Sequence, residues 1–156
     1  MKRNPDGGTS LTCTRSDGTV TWQRRESQQA AFFPRHDLTH FAVETVLAHR
    51  NGFYGLLAAG WDLSDFGAPW PRGRIPPEAD VAETIVGFLD IERASGERTG
   101  PEQLNDLIAS RCAERGCPAP PPITEGELHE IRRRRAELFA EWDAVPAGRA
   151  LELVYE

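Results

Sequence analysis

The stretch Phe32-Phe33-Pro34-Arg35-His36-Asp37-Leu38-Thr39-His40-Phe41-Ala42-Val43-Glu44 decides the reading of the chain. Its proline suits the first turn of a helix, where a missing N–H leaves no bond unmade. At roughly 100° per residue, taking His36 as zero puts His40 near 40°, Glu44 near 80° and Asp37 near 100°. The four polar groups therefore share one face. Val43 and Leu47 fall within roughly 20° of zero on the same wheel, so that face borders the side that must look inward. Imidazoles and carboxylates at such an edge need partners, because an unpaired buried polar group costs a few kcal/mol.

Two imidazoles at i and i+4 can reach one cation from consecutive turns, as in the H-E-x-x-H zinc helix. The expected metal ligands are His36, His40 and Glu44. Asp37 is expected to orient an imidazole or, with Glu44, to act as an acid–base group. Three protein ligands leave one position open for water, the arrangement of a catalytic rather than a structural zinc. The expected cofactor is thus a divalent metal, zinc first, and the expected activity is hydrolase-like. A second reading needs no metal: His36 and Asp37 are first-turn residues, and His40 and Glu44 are a hydrogen-bonded pair. The chain is then a non-enzymatic protein–protein interaction module whose polar helix face pairs with Arg135.

The run His36-Asp37-Leu38-Thr39-His40-Phe41-Ala42-Val43-Glu44, followed by Gly52-Phe53-Tyr54-Gly55 and Ala58-Ala59-Gly60, resembles a group of uncharacterised bacterial proteins over residues 32–66. That likeness implies no activity. More loosely, His36-Asp37-x-x-His40 is similar to the HDxxH metal motif of a coenzyme Q biosynthesis family. That motif continues with a glutamate twelve residues after its second histidine, where this chain has Gly52.

At 156 residues with 39% hydrophobic residues, the chain has the material for one domain with a real core. A net charge of −6 and a pI near 5.3 argue against a general nucleic-acid binder. Cys13, Cys112 and Cys117 lack metal-ribbon spacing and read as reduced thiols. With no apolar run of membrane length and no signal-like start, a cytoplasmic protein is expected, with a small molecule or a protein as partner.

Residues 1–9 read as a flexible tail and 10–156 as a single domain. Leu11–Arg15 and Thr19–Gln23 flank Asp17-Gly18 and read as a β-hairpin, with Ala150–Glu156 as a third strand. Arg50-Asn51-Gly52 should stop the central helix with Gly52 left-handed, and Phe53–Ala59 should form a short apolar helix. Trp61, Phe66 and Trp70 lie in a long proline-punctuated connection and read as a lid. Val81, Ile85, Phe88 and Leu89 mark a helix from Glu78 to Ala94. Thr99 and Glu102 suggest a capping box for a helix bearing Leu104, Leu107, Ile108 and Cys112. Thr124 and Glu127 open the longest one. On that last helix Arg135 falls roughly 20° from Leu128, on the apolar stripe, so its guanidinium needs an anionic partner. The architecture expected is α+β: a small antiparallel sheet against four or five helices.

Overall fold

The computed structural model covers residues 1–156 and has the expected α+β architecture, with a three-stranded antiparallel sheet and five α-helices. Strands β1 (Lys2–Arg3), β2 (Thr9–Thr14) and β3 (Val20–Arg25) lie in the order β1-β2-β3. The hairpin pairs Thr14 with Val20 and Thr9 with Arg25. Gly18 takes the positive φ of 84° that its turn requires.

The third strand comes from the other end of the chain. Residues expected to be a loose tail instead form β1, with Lys2 opposite Ser10 and Arg3 opposite Thr9. The C-terminal segment lies on the far side of β1, bridged at Lys2 to Ala150 and bonded on either side through Arg3 to Arg149 and Gly148 and through Met1 to Leu151. Its alternating pattern was a sound strand signal. Its backbone pairing ends with Leu151, opposite Met1.

Helix α1 (Ser27–Val46) begins seven residues before Pro34, so the proline sits inside the helix rather than at its start. The residue at N-cap, Glu26, makes no side-chain cap bond, which is why the sequence shows no start there. Ala48, not Gly52, takes the positive φ after α1. Gly52 has an ordinary φ of −78° and caps α2 (Phe53–Ala58). Its lack of a side chain matters for another reason: a Cβ there would lie 2.4 Å from Cδ of Glu44.

Helices α3 (Pro77–Ser95), α4 (Pro101–Arg115) and α5 (Glu125–Asp143) complete the fold. The Thr124/Glu127 capping box forms as expected, with Thr124 accepting from the Glu127 N–H. At α4 the N-cap is Gly100, and Thr99 instead donates its N–H to Glu92 Oε2 at 3.3 Å. Leu107 is exposed rather than inward.

The largest core cluster joins Val43 of α1 to Val81, Ile85, Val86 and Leu89 of α3, Leu104 and Ile108 of α4, and Leu128 and Ile131 of α5. Each such side chain contributes about 1.5–3 kcal/mol when fully buried. A second cluster sets Leu38, Phe41 and Ala42 against Leu138 and Trp142. α1 is therefore gripped on two sides, by α3 and by α5. Phe66 of the 3-10 turn at Leu63–Phe66 packs at a tilt against Phe53 and Trp61, with ring centroids 4.9 Å and 5.5 Å away. Trp70 stays exposed. No helix is long and apolar enough to cross a membrane.

Candidate metal centre

Core packing of α1 on α3 fixes which side chains meet at the edge of that interface. Glu83 and Asp90, seven residues apart on α3, lie within roughly 20° of each other on the wheel and face the His36/His40 side of α1. His36 Nδ1 lies 2.8 Å from Asp90 Oδ2. A carboxylate can only accept, so Nδ1 bears the proton and Nε2 is left as the free donor atom. His40 repeats the arrangement: its Nδ1 lies 3.2 Å from Glu44 Oε1. Both Nε2 atoms then face Glu83, His40 at 3.3 Å from Oε1 and His36 at 4.0 Å from Oε2.

One nitrogen, two oxygens and a further nitrogen thus converge. One ligand atom from each of His36, His40 and Glu83 lies within 4.8 Å of the others, close enough for the three to hold a metal ion. His40 Nε2 is buried, and although Glu83 Oε1 is 3.3 Å away, no hydrogen bond is directed between them. The short separation reflects attraction without the alignment a hydrogen bond needs. Two ligands at zinc distances in a tetrahedral shell stand about 3.3 Å apart, so this spacing fits a shared cation. The His36–Glu83 edge is longer, and Glu83, with a side chain 34% exposed, has the freedom to close it.

The electrostatics favour a cation. Burial alone would keep His40 neutral, but the carboxylates of Glu44 and Glu83 outweigh it and lift its pKa to about 10. Burial pushes the Glu83 carboxyl up, yet His40, His36 and Arg115 bring it below the ordinary value. Asp90 behaves likewise, held down by His36 and Arg93 against the effect of burial. The carboxylates of Glu44 and Glu83 thus favour a positive charge at His40, so a metal ion would take the place of a proton there.

The expected ligand set needs one correction. Glu44 lies on the Nδ1 side of His40, not with the converging Nε2 atoms. Its Oε2 also accepts the N–H groups of Tyr54 at 2.9 Å and Gly55 at 3.2 Å, so its lone pairs tie down α2. Gly52 leaves the room for this, and Gly55 does the same against the Arg50 carbonyl, which a Cβ would meet at 1.9 Å. Glu44 positions His40, and Glu83 takes its place in the triad. Asp37 belongs to neither arrangement. It is buried, and burial pushes its carboxyl up to about 6 despite the nearby His36, His40 and Arg25.

Arg135 is inward, as its wheel position requires, but its partners are on α3: it donates to Leu89 O at 2.9 Å and to Glu92 Oε1 at 3.2 Å. The pairing with the polar face of α1 does not form, because the packing of α5 on α3 brings Glu92 and the Leu89 carbonyl to the guanidinium instead. Arg132 also donates to Glu92, with Nε 3.1 Å from Oε1. Glu83 and Asp90 are not legible as site residues from the sequence, because carboxylates outside the apolar stripe of a helix are ordinarily solvated. The available signal was their heptad spacing beside the buried Ala79 and Val86.

Comparisons with protein families, with curated proteins and with solved structures return no match to this chain.

Proposed function

We propose that the protein is a divalent-metal protein, with zinc as its metal, held by Nε2 of His36, Nε2 of His40 and the carboxylate of Glu83. The observation that carries this reading is the buried His40 Nε2, anchored through Nδ1 yet without a hydrogen bond on its metal-facing side. Asp90 and Glu44 set the tautomer and aim of the two rings, the role carboxylates play beside metal-bound imidazoles. The short likeness of His36-Asp37-x-x-His40 to an HDxxH metal motif points the same way.

A metal with three protein ligands supplies Lewis acidity and makes water a stronger nucleophile near neutral pH. A hydrolase-like activity on a small molecule follows from that chemistry. Asp37, a buried carboxyl whose pKa burial raises to about 6, is our candidate for the group that takes up and releases a proton, although it hydrogen-bonds to none of the three ligands. Phe53, with its ring centroid 5.4 Å from that of His40, gives the site an apolar neighbour on one side.

Elemental analysis tests the reading. Protein purified and then dialysed against zinc should hold about one equivalent, and Glu83→Gln and His40→Ala should each lose it. Analysis should include iron, because two histidines and one carboxylate also suit Fe(II). Chelation should lower the melting temperature, since a ligand at 100 times its Kd stabilises the fold by about 2.7 kcal/mol. Wild-type protein that binds neither metal, with a melt indifferent to chelator, would end the proposal.

A further inference from the structure

Gly87 stands near the middle of α3 with no packing reason to be a glycine. A Cβ built there would meet nothing within 4 Å. In a helix interior glycine destabilises relative to alanine, because its backbone loses the most freedom on folding. Gly55 of α2 differs, since the Arg50 carbonyl occupies the place its Cβ would take.

What Gly87 leaves open is the approach to the metal centre. At roughly 100° per residue it lies about 40° from Glu83 and about 60° from Asp90, on the side away from the buried Val86. His36 spans those two carboxylates, with Nδ1 2.8 Å from Asp90 and Nε2 4.0 Å from Glu83. Helical side chains lean toward the N-terminus of their helix, so one at the position of Gly87 would lie back over the turn of Glu83. With glycine there, the Glu83 side chain stays 34% exposed, and behind it lies the buried Nε2 of His40 without a hydrogen bond. The path from solvent to the three ligands therefore crosses the bare backbone of Gly87.

The borders of this opening are apolar. Ile91, one turn beyond Gly87, is 63% exposed. Phe32, whose ring stacks on that of His36 with centroids 5.4 Å apart, is 43% exposed. The guanidiniums that border α3 here are each paired with a carboxylate of that helix, Arg93 with Asp90 at 3.3 Å and Arg115 with Asp80 at 3.2 Å. Apolar side chains around a few convergent polar groups are the make-up of a small-molecule site.

We propose that the opening at Gly87, bordered by Phe32 and Ile91, is the subsite for an uncharged apolar group of the substrate, held next to the atom that reaches the metal. The inference rests on the zinc reading above and adds a substrate class to it: a small molecule with an apolar group, not an anionic one, beside its metal-binding oxygen. Gly87 determines specificity by leaving room for that group.

Three hydroxamates titrated calorimetrically into the zinc-loaded full chain test this. Acetohydroxamate, hexanohydroxamate and adipic acid monohydroxamate share one zinc-binding head, and the last two have equal length but differ in a terminal carboxylate. Hexanohydroxamate should bind at least about tenfold more tightly than either of the others. Gly87→Leu should keep its zinc yet bind hexanohydroxamate at least about tenfold more weakly, and Ile91→Ser should narrow the gap between hexano- and acetohydroxamate at least about threefold. Equal affinity for the three probes, a preference for the carboxylate, or undiminished binding by Gly87→Leu would overturn the proposal and leave the zinc reading standing. Wild-type protein that holds no zinc after dialysis and binds no probe would overturn that reading, and this inference with it.

Discussion

Asp90 and Glu92 stand two residues apart on α3 and anchor two buried ionic clusters with opposite characters. Glu92 turns toward α5, where Arg132 and Arg135 both donate to it and each also donates to a backbone carbonyl, Thr99 O and Leu89 O respectively. That cluster is closed: one carboxylate and two guanidiniums that cannot lose their charge, with no buried nitrogen of either left without a partner. Asp90 turns toward α1, where His36, His40, Glu44 and Glu83 leave the buried Nε2 of His40 without a hydrogen bond. Here carboxylates outnumber imidazoles, and the imidazoles can give up their protons. Burial is similar in the two places. The difference is satisfaction, which separates a clasp between helices from a site able to receive a cation.

The largest expected effect breaks the closed side of this comparison. Glu92→Ala leaves two guanidiniums facing an apolar interface and should cost about 3–5 kcal/mol of stability. Urea denaturation would measure it. Metal content should be unchanged, and a variant that loses both stability and metal would show that the two clusters are one unit.

The open side is sharpened by Gly52→Ala. The new Cβ would meet Glu44 Cδ at 2.4 Å, and Glu44 is too buried to swing away. Overpacking of this kind costs about 1–3 kcal/mol. Displacing Glu44 also removes the anchor of His40, so zinc affinity should fall about 10–100-fold. Competition with a chromogenic chelator would read the change, and unaltered affinity would deny Glu44 its positioning role.

The smallest effect is a pH dependence that belongs to the clasp. Burial would raise the Glu92 carboxyl, but Arg132, the Thr99 N–H and Arg135 hold it below its usual 4.5. A carboxyl depressed in the folded state contributes stability that is complete above that usual value and is lost as pH falls from 4.5 through the folded pKa. Urea midpoints from pH 6 downward should therefore drop less steeply in Glu92→Gln than in the wild type over that acid range. Parallel curves would remove Glu92 from the account.

Local chemistry alone determined much of this chain. Asp17-Gly18 between β-prone runs specifies the hairpin, because few residues other than glycine accept its positive φ. Thr124 and Glu127 satisfy two backbone donors reciprocally, so the start of α5 is legible from four residues. His36 and His40 could be placed on one face by helical spacing, and Arg135 could be placed inward and in need of an anion. Tertiary structure decided the rest. Which carboxylate joins the histidines depends on how α3 is rotated against α1, a matter of core packing among Val43, Val86 and Leu89 that no window of α1 contains. The same packing gave Arg135 to Glu92. Glu44 is the clearest case: its spacing made it a ligand, but the glycine-enabled approach of α2 claimed its oxygen first, since a buried carboxylate bonds whichever donors the fold brings nearest.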